Sequence, residues 1–200
     1  MSAVSETIVR EYFELHEFLV RQHRKYISQK RREDDDIDFF VFNPHPEALA
    51  GALPFVLASA DLRFIERAVV VVRGWHTNTF SPSRLEASPA IFRFVEPKVF
   101  QQAARAFGKE GTPLKVLVVP SLPQTAAARD ESIALLRSKS IDAVIPFHTI
   151  LATLVGQTQV NHNYEKSDLL QIIRILKNYD LFKEPQMELF KARPAKAIGG

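Results

Sequence analysis

The chain has 200 residues with a formal net charge of +3, and 46% of its residues are hydrophobic. That is enough for a sizeable core in one domain, and too little net charge to announce nucleic-acid binding by itself. It contains no cysteine, which excludes disulfides, thiolate metal sites and cysteine nucleophiles and fits a reducing compartment.

In chain order, Ser5 reads as an N-cap with Glu6 in the first helical turn, and Ile8, Tyr12, Leu15 and Leu19 fall at helical spacing. The acids Glu6, Glu11, Glu14 and Glu17 argue against a signal peptide. No segment approaches the roughly 18 apolar residues that cross a bilayer, so no membrane partner and a cytoplasmic location are expected. The helix is expected to end near residue 17, with Phe18, Val20, Tyr26 and Ile27 in a following strand.

Residues 21–32 hold Arg21, Arg24, Lys25, Lys30, Arg31 and Arg32 without an acid, and Glu33, Asp34, Asp35, Asp36 and Asp38 follow. Such a pair of blocks suits either a solvated hairpin or a patch that contacts phosphates. Residues 36–43, DIDFFVFN, read as a strand closed by Asn43-Pro44. Residues 48–65 are apolar and ambiguous, with Pro54 interrupting any helix.

Residues 68–73, AVVVVR, form the strongest strand, since consecutive β-branched residues suit a strand buried on both faces. Ser88-Pro89 and Glu96-Pro97 resemble helix starts. Ile91, Val95, Val99, Ala103 and Phe107 keep one apolar face up to a C-capping Gly108. A second buried strand covers 114–119, a helix 129–139, a short strand 141–147, and helices 148–156 and 167–179. The pattern predicts an α/β (α+β) fold with a central mixed β-sheet flanked by helices, in one domain over 1–182 with a loosely attached tail over 183–200.

Three phrases carry a resemblance: FLVRQHRKY leading to DIDFFVFNP, then VVVVRGWH, then the helix and strand ending in IDAVIPF. Over roughly residues 5–160 the chain resembles the restriction-endonuclease-like PD-(D/E)xK superfamily. The resemblance implies that Asp38 matches the metal-binding aspartate and that the third strand matches the E-x-K strand. In that family two carboxylates on neighbouring strands hold Mg²⁺, and a lysine on the same strand face stabilises developing negative charge.

The chain departs from this pattern. Val71 stands at the glutamate position and offers no oxygen. Arg73 stands at the lysine position and stays cationic, so it cannot be a general base. A family variant places the acid on the following helix, and Glu86 lies 13 residues after Arg73. Asp36 either shares a face with Asp38 or ends the acidic turn. Trp75 either packs or stacks on a base, and His76 offers a phosphate contact. His45, His148 and His162 form no zinc pattern.

The resemblance therefore implies a nuclease-fold protein with a degenerate metal site, without a cofactor, that binds nucleic acid or a protein partner and does not cleave. Arg24, Lys25, Arg31, Arg32, Trp75 and His76 are the expected nucleic-acid contacts. The alternative is a divergent Mg²⁺-dependent endonuclease using Asp38, Arg73 and Glu86, with Asp38 on the metal. A third is a structural or assembly subunit. In the degenerate site, a bidentate Asp38–Arg73 ion pair at about 2.7–2.9 Å is expected to replace the metal.

Overall fold

A computed structural model describes residues 3–22, 37–74, 76–108 and 111–182. Contacts group the chain into two compact units, Met1–Gln157 and Thr158–Gly200.

The first unit is built on one five-stranded sheet: β1 (Leu19–Gln22), β2 (Phe39–Phe42), β3 (Arg67–Val72), β4 (Leu114–Val119) and β5 (Ala143–Pro146), in that spatial order. β1, β2 and β3 pair antiparallel, while β3, β4 and β5 run parallel. This is the α+β class with a mixed sheet. The sequence leads one to expect residues 36–42, 68–74, 114–119 and 142–146 in one sheet, and a strand from each region is there.

Strand chemistry explains the order. The four valines of β3 are fully buried, because β3 lies at the centre of the sheet with helices on both faces. One face carries Phe40, Val69, Val71, Leu117 and Val119 into a cluster with Leu85, Phe94, Phe100 and Leu136. Those last residues come from α2 (Pro82–Glu86), the turns after it, α3 (Pro97–Ala104) and α4 (Ala126–Ser138). Across β3, α1 (Ala3–Leu15) packs with α5 (Phe147–Gln157) and with β1 and β3. Val9, Tyr12, Phe13, Ile150 and Leu154 are buried on these two helices.

Three local expectations change. The 90–107 region is not one helix but a 3₁₀ segment Pro89–Val95, then α3, then a 3₁₀ turn Arg105–Phe107. Pro97 causes the break: the residue before a proline is pushed out of the helical region, and Glu96 has ψ 136°. Gly108 ends the run at φ 79°, as a glycine C-cap does. Ser5 is not an N-cap, since α1 begins at Ala3; its hydroxyl meets His76 instead. Residues 48–65 hold neither a long helix nor a strand. They form a loop bridging Val56 to Val144 and a 3₁₀ segment Ser59–Phe64, with Phe55, Leu57, Leu62 and Ile65 buried.

The second unit holds α6 (Asp168–Asn178), capped by the Ser167 hydroxyl, which accepts from the Leu170 amide at 3.2 Å. No helix among the described residues is long and apolar enough to cross a membrane.

Candidate functional site

The sequence places chemistry at the C-terminal end of β3, and the sheet register assembles it there. Phe39 pairs with Val70, so Asp38 lies one rung further along, beside Val71 and Val72. The main-chain groups of Val70 and Val72 face the same neighbour, since residues two apart share an orientation in a strand. Val70 finds main-chain partners on β2, and its carbonyl accepts from the Asp38 amide at 3.2 Å. On the β2 side Val72 lies beyond the last paired residue, and side chains finish that ladder. The Val72 amide donates to Asp38 Oδ2 at 2.7 Å, and Arg73 Nη1 donates to the Val72 carbonyl at 3.0 Å.

Asp38 and Arg73 thus meet as the sequence leads one to expect, but not in the expected geometry. Arg73 Nη1 stands 3.8 Å from Asp38 Oδ2, an ion pair without the short bidentate contact. The physical reason is competition: the Val72 amide already holds Oδ2, and the guanidinium bends to the Val72 carbonyl. Both side chains are 8% exposed. Burial pushes the Asp38 carboxyl up to about 7, against the Val72 hydrogen bond and the Arg73 charge, and Glu6 adds to the rise. Burial wins because removing a carboxylate from water costs more than one amide and one loosely placed cation return.

Helix α1 packs against the same end of β3. The Ser5 hydroxyl, 1% exposed, lies 3.0 Å from His76 Nε2. The exposed His76 ring also packs edge-on against Phe147, with centroids 4.4 Å apart. Glu6, whose charge reaches Asp38, accepts from Gln22 Nε2 at 2.8 Å. Ser5, Glu6 and Gln22 are site neighbours that pattern reading missed. Glu6 carries a faint signal as a first-turn acid one helix before the Asp38 strand, but nothing in the sequence sets the angle at which α1 crosses β3.

Val71 is fully buried in the apolar cluster. Glu86 ends α2, is exposed, and is not among the groups whose charge acts on Asp38. Arg24, Lys25, Arg31, Arg32, Asp36 and Trp75 lie outside the described residues. Among the described residues, the donor set at the end of β3 does not fit a divalent cation. Its one buried carboxylate already accepts an amide, a valine stands beside it, and a guanidinium stands 3.8 Å away. Two cavities lie elsewhere. One of about 510 Å³ is lined by Phe40, Phe42, Arg67 and Phe107 among others. The second, of about 460 Å³, lies beyond the other end of β2.

Comparison of the chain with protein-family models, with curated proteins and with solved structures finds no match in any of the three.

Proposed function

We propose that this is a nuclease-fold protein of the PD-(D/E)xK type whose metal site has degenerated, and that it binds nucleic acid without cutting it. The observation that carries this reading is the state of Asp38 and Arg73. Both bond Val72, Asp38 Oδ2 accepting its amide and Arg73 Nη1 donating to its carbonyl. A carboxylate held this way offers less to a cation, and Val71 supplies no second oxygen.

The element order supports the resemblance. A helix, three antiparallel strands, and two further strands parallel to the third with helices between them follow one another, with Asp38 just before the second strand and Arg73 just after the third. Nucleic acid is favoured over a protein partner by the run of six cations over residues 21–32, of which Arg21 is exposed on β1.

The test is a cleavage assay with Mg²⁺ and with Mn²⁺ on single- and double-stranded DNA and on RNA, with Asp38→Ala as the control for contaminating nuclease. The expected result is no Asp38-dependent hydrolysis. Cleavage that disappears in both Asp38→Ala and Glu86→Ala overturns the proposal in favour of a Mg²⁺-dependent endonuclease.

A further inference from the structure

Asp38 precedes β2 and Asn43 follows it, so the strand carries a second polar place at its other end. The cavity of about 460 Å³ opens there, lined by His16, Glu17, Asn43, Glu47, Ser59 and Arg63 among others. Asn43 is its most buried member at 6% exposure. Its Oδ1 accepts from the His45 backbone amide at 2.9 Å. That contact fixes the orientation of the side chain, because an oxygen and not an NH₂ must face an N–H donor. Nδ2 is left with two donors that meet no acceptor among the described residues, yet it still touches open space. Because Nδ2 reaches the cavity, its donors are available to an acceptor that enters it.

Two acceptors sit on the same wall. The Tyr12 hydroxyl donates to Ser59 Oγ at 3.0 Å, and Thr153 Oγ1 donates to the Thr149 carbonyl at 2.8 Å. The 2.5 Å contact between Ser59 and Thr153 must then have Ser59 as donor. Ser59 Oγ keeps a lone pair. His16 donates through Nδ1 to the Tyr12 carbonyl at 2.7 Å, and with the proton on Nδ1 the neutral tautomer has Nε2 as an acceptor. On the rim, Glu17 and Glu47 outnumber Arg63, whose Nε is 3.6 Å from Glu47. A net negative lining disfavours phosphates and other anions. A wall that both gives and takes hydrogen bonds, without net positive charge, matches hydroxyl groups, which do both.

We infer that this cavity binds a neutral polyhydroxylated molecule, of mono- or disaccharide size, through Asn43 Nδ2, Ser59 Oγ and His16 Nε2. Such binding is independent of what Asp38 and Arg73 do at the other end of β2.

The experiment is an NMR titration of the full ¹⁵N-labelled chain with glucose and with sucrose, run beside phosphate and putrescine. Saturable shifts of the Asn43 side-chain NH₂ and of the Ser59 and His45 amides are expected with a sugar. Asn43→Asp keeps an oxygen for the His45 amide and removes the donor, so it is expected to weaken the sugar at least tenfold while leaving the rest of the spectrum in place. Should that variant not fold, Ser59→Ala carries the same expectation. Shifts that never saturate, stronger binding of phosphate or putrescine, or a variant that holds the sugar as well as the wild type each overturn the inference.

Discussion

The Val72 amide donates to Asp38 Oδ2 at 2.7 Å, so the last N–H that the central strand turns toward β2 is met by a carboxylate rather than by the β2 main chain. The arrangement serves the sheet, and it leaves a buried acid whose charge is poorly compensated. The consequences are measurable in stability before any ligand is known.

Asp38 should make the fold weaken as pH rises. Burial, the largest cause, holds its folded pKa at about 7, against an ordinary value of 3.8. Below pH 4 both folded and unfolded forms carry the proton. Between about pH 4 and 7 the folded form binds it more tightly, so stability falls across that window and is level above it. Three pKa units correspond to about 4 kcal/mol as an order of magnitude. Asp38→Asn stays neutral and keeps an oxygen for the Val72 amide, so it should flatten the slope. Urea midpoints at pH 5 and pH 8 for both proteins check this; parallel profiles would assign the pH dependence to other groups.

Gly74 should tolerate no side chain. A Cβ there would stand 2.4 Å from Ser5 Oγ and 2.9 Å from Ser5 Cβ, and Ser5 is buried between α1 and the end of β3. Gly74→Ala is expected to cost about 1–3 kcal/mol, the usual range for forced overpacking. Adding Ser5→Gly should return part of that loss in a denaturation double-mutant cycle. Strict additivity of the two changes would place the cause elsewhere.

How far the sequence could be read follows from how local each signal is. The strand over 114–119 was legible to the residue and β3 to within one or two, because runs of buried β-branched residues need no knowledge of their neighbours. Residues 48–65 were not legible: Phe55, Leu57, Leu62 and Ile65 are buried without helical or strand spacing, held by a single bridge and a 3₁₀ segment. At the site, the meeting of Asp38 with Arg73 follows from strand order. That the Val72 amide would lie beyond the β2 ladder and take the carboxylate does not, since it depends on where pairing stops. Glu6 and Ser5 arrive through helix packing, which no spacing records.

Val71 offers a test of the resemblance itself. It is fully buried in the cluster that includes Leu117 and Phe80. Val71→Glu should therefore destabilise the fold by more than about 3 kcal/mol, the scale for an uncompensated buried charge. If Val71 occupies the family's acid position, Mg²⁺ should restore part of that loss in the variant and nothing in the wild type. Binding at 100 times Kd would return about 2.7 kcal/mol. Thermal unfolding with and without Mg²⁺ measures both, and a variant indifferent to the ion would argue against Val71 standing at the family's glutamate position.

Binding to nucleic acid through charge should show itself in its dependence on salt. Each phosphate neutralised on duplex DNA releases condensed counterions and contributes about 0.9 to the slope of log affinity against log salt. Arg24, Lys25, Arg31 and Arg32 lie within nine positions of one another with no acid between them. If all four contact phosphates, raising salt from about 50 to 200 mM should weaken binding about a hundredfold through them alone. Replacing the four together with Ala should lower affinity at low salt and flatten the slope by about 0.9 for each phosphate no longer neutralised. Fluorescence anisotropy with a labelled duplex, read at several salt concentrations, gives both numbers. A slope unchanged in the variant would move the nucleic-acid surface away from residues 24–32. No binding even at low salt would favour a protein partner, because the electrostatic term acts on any sequence and should be detectable with any duplex of adequate length.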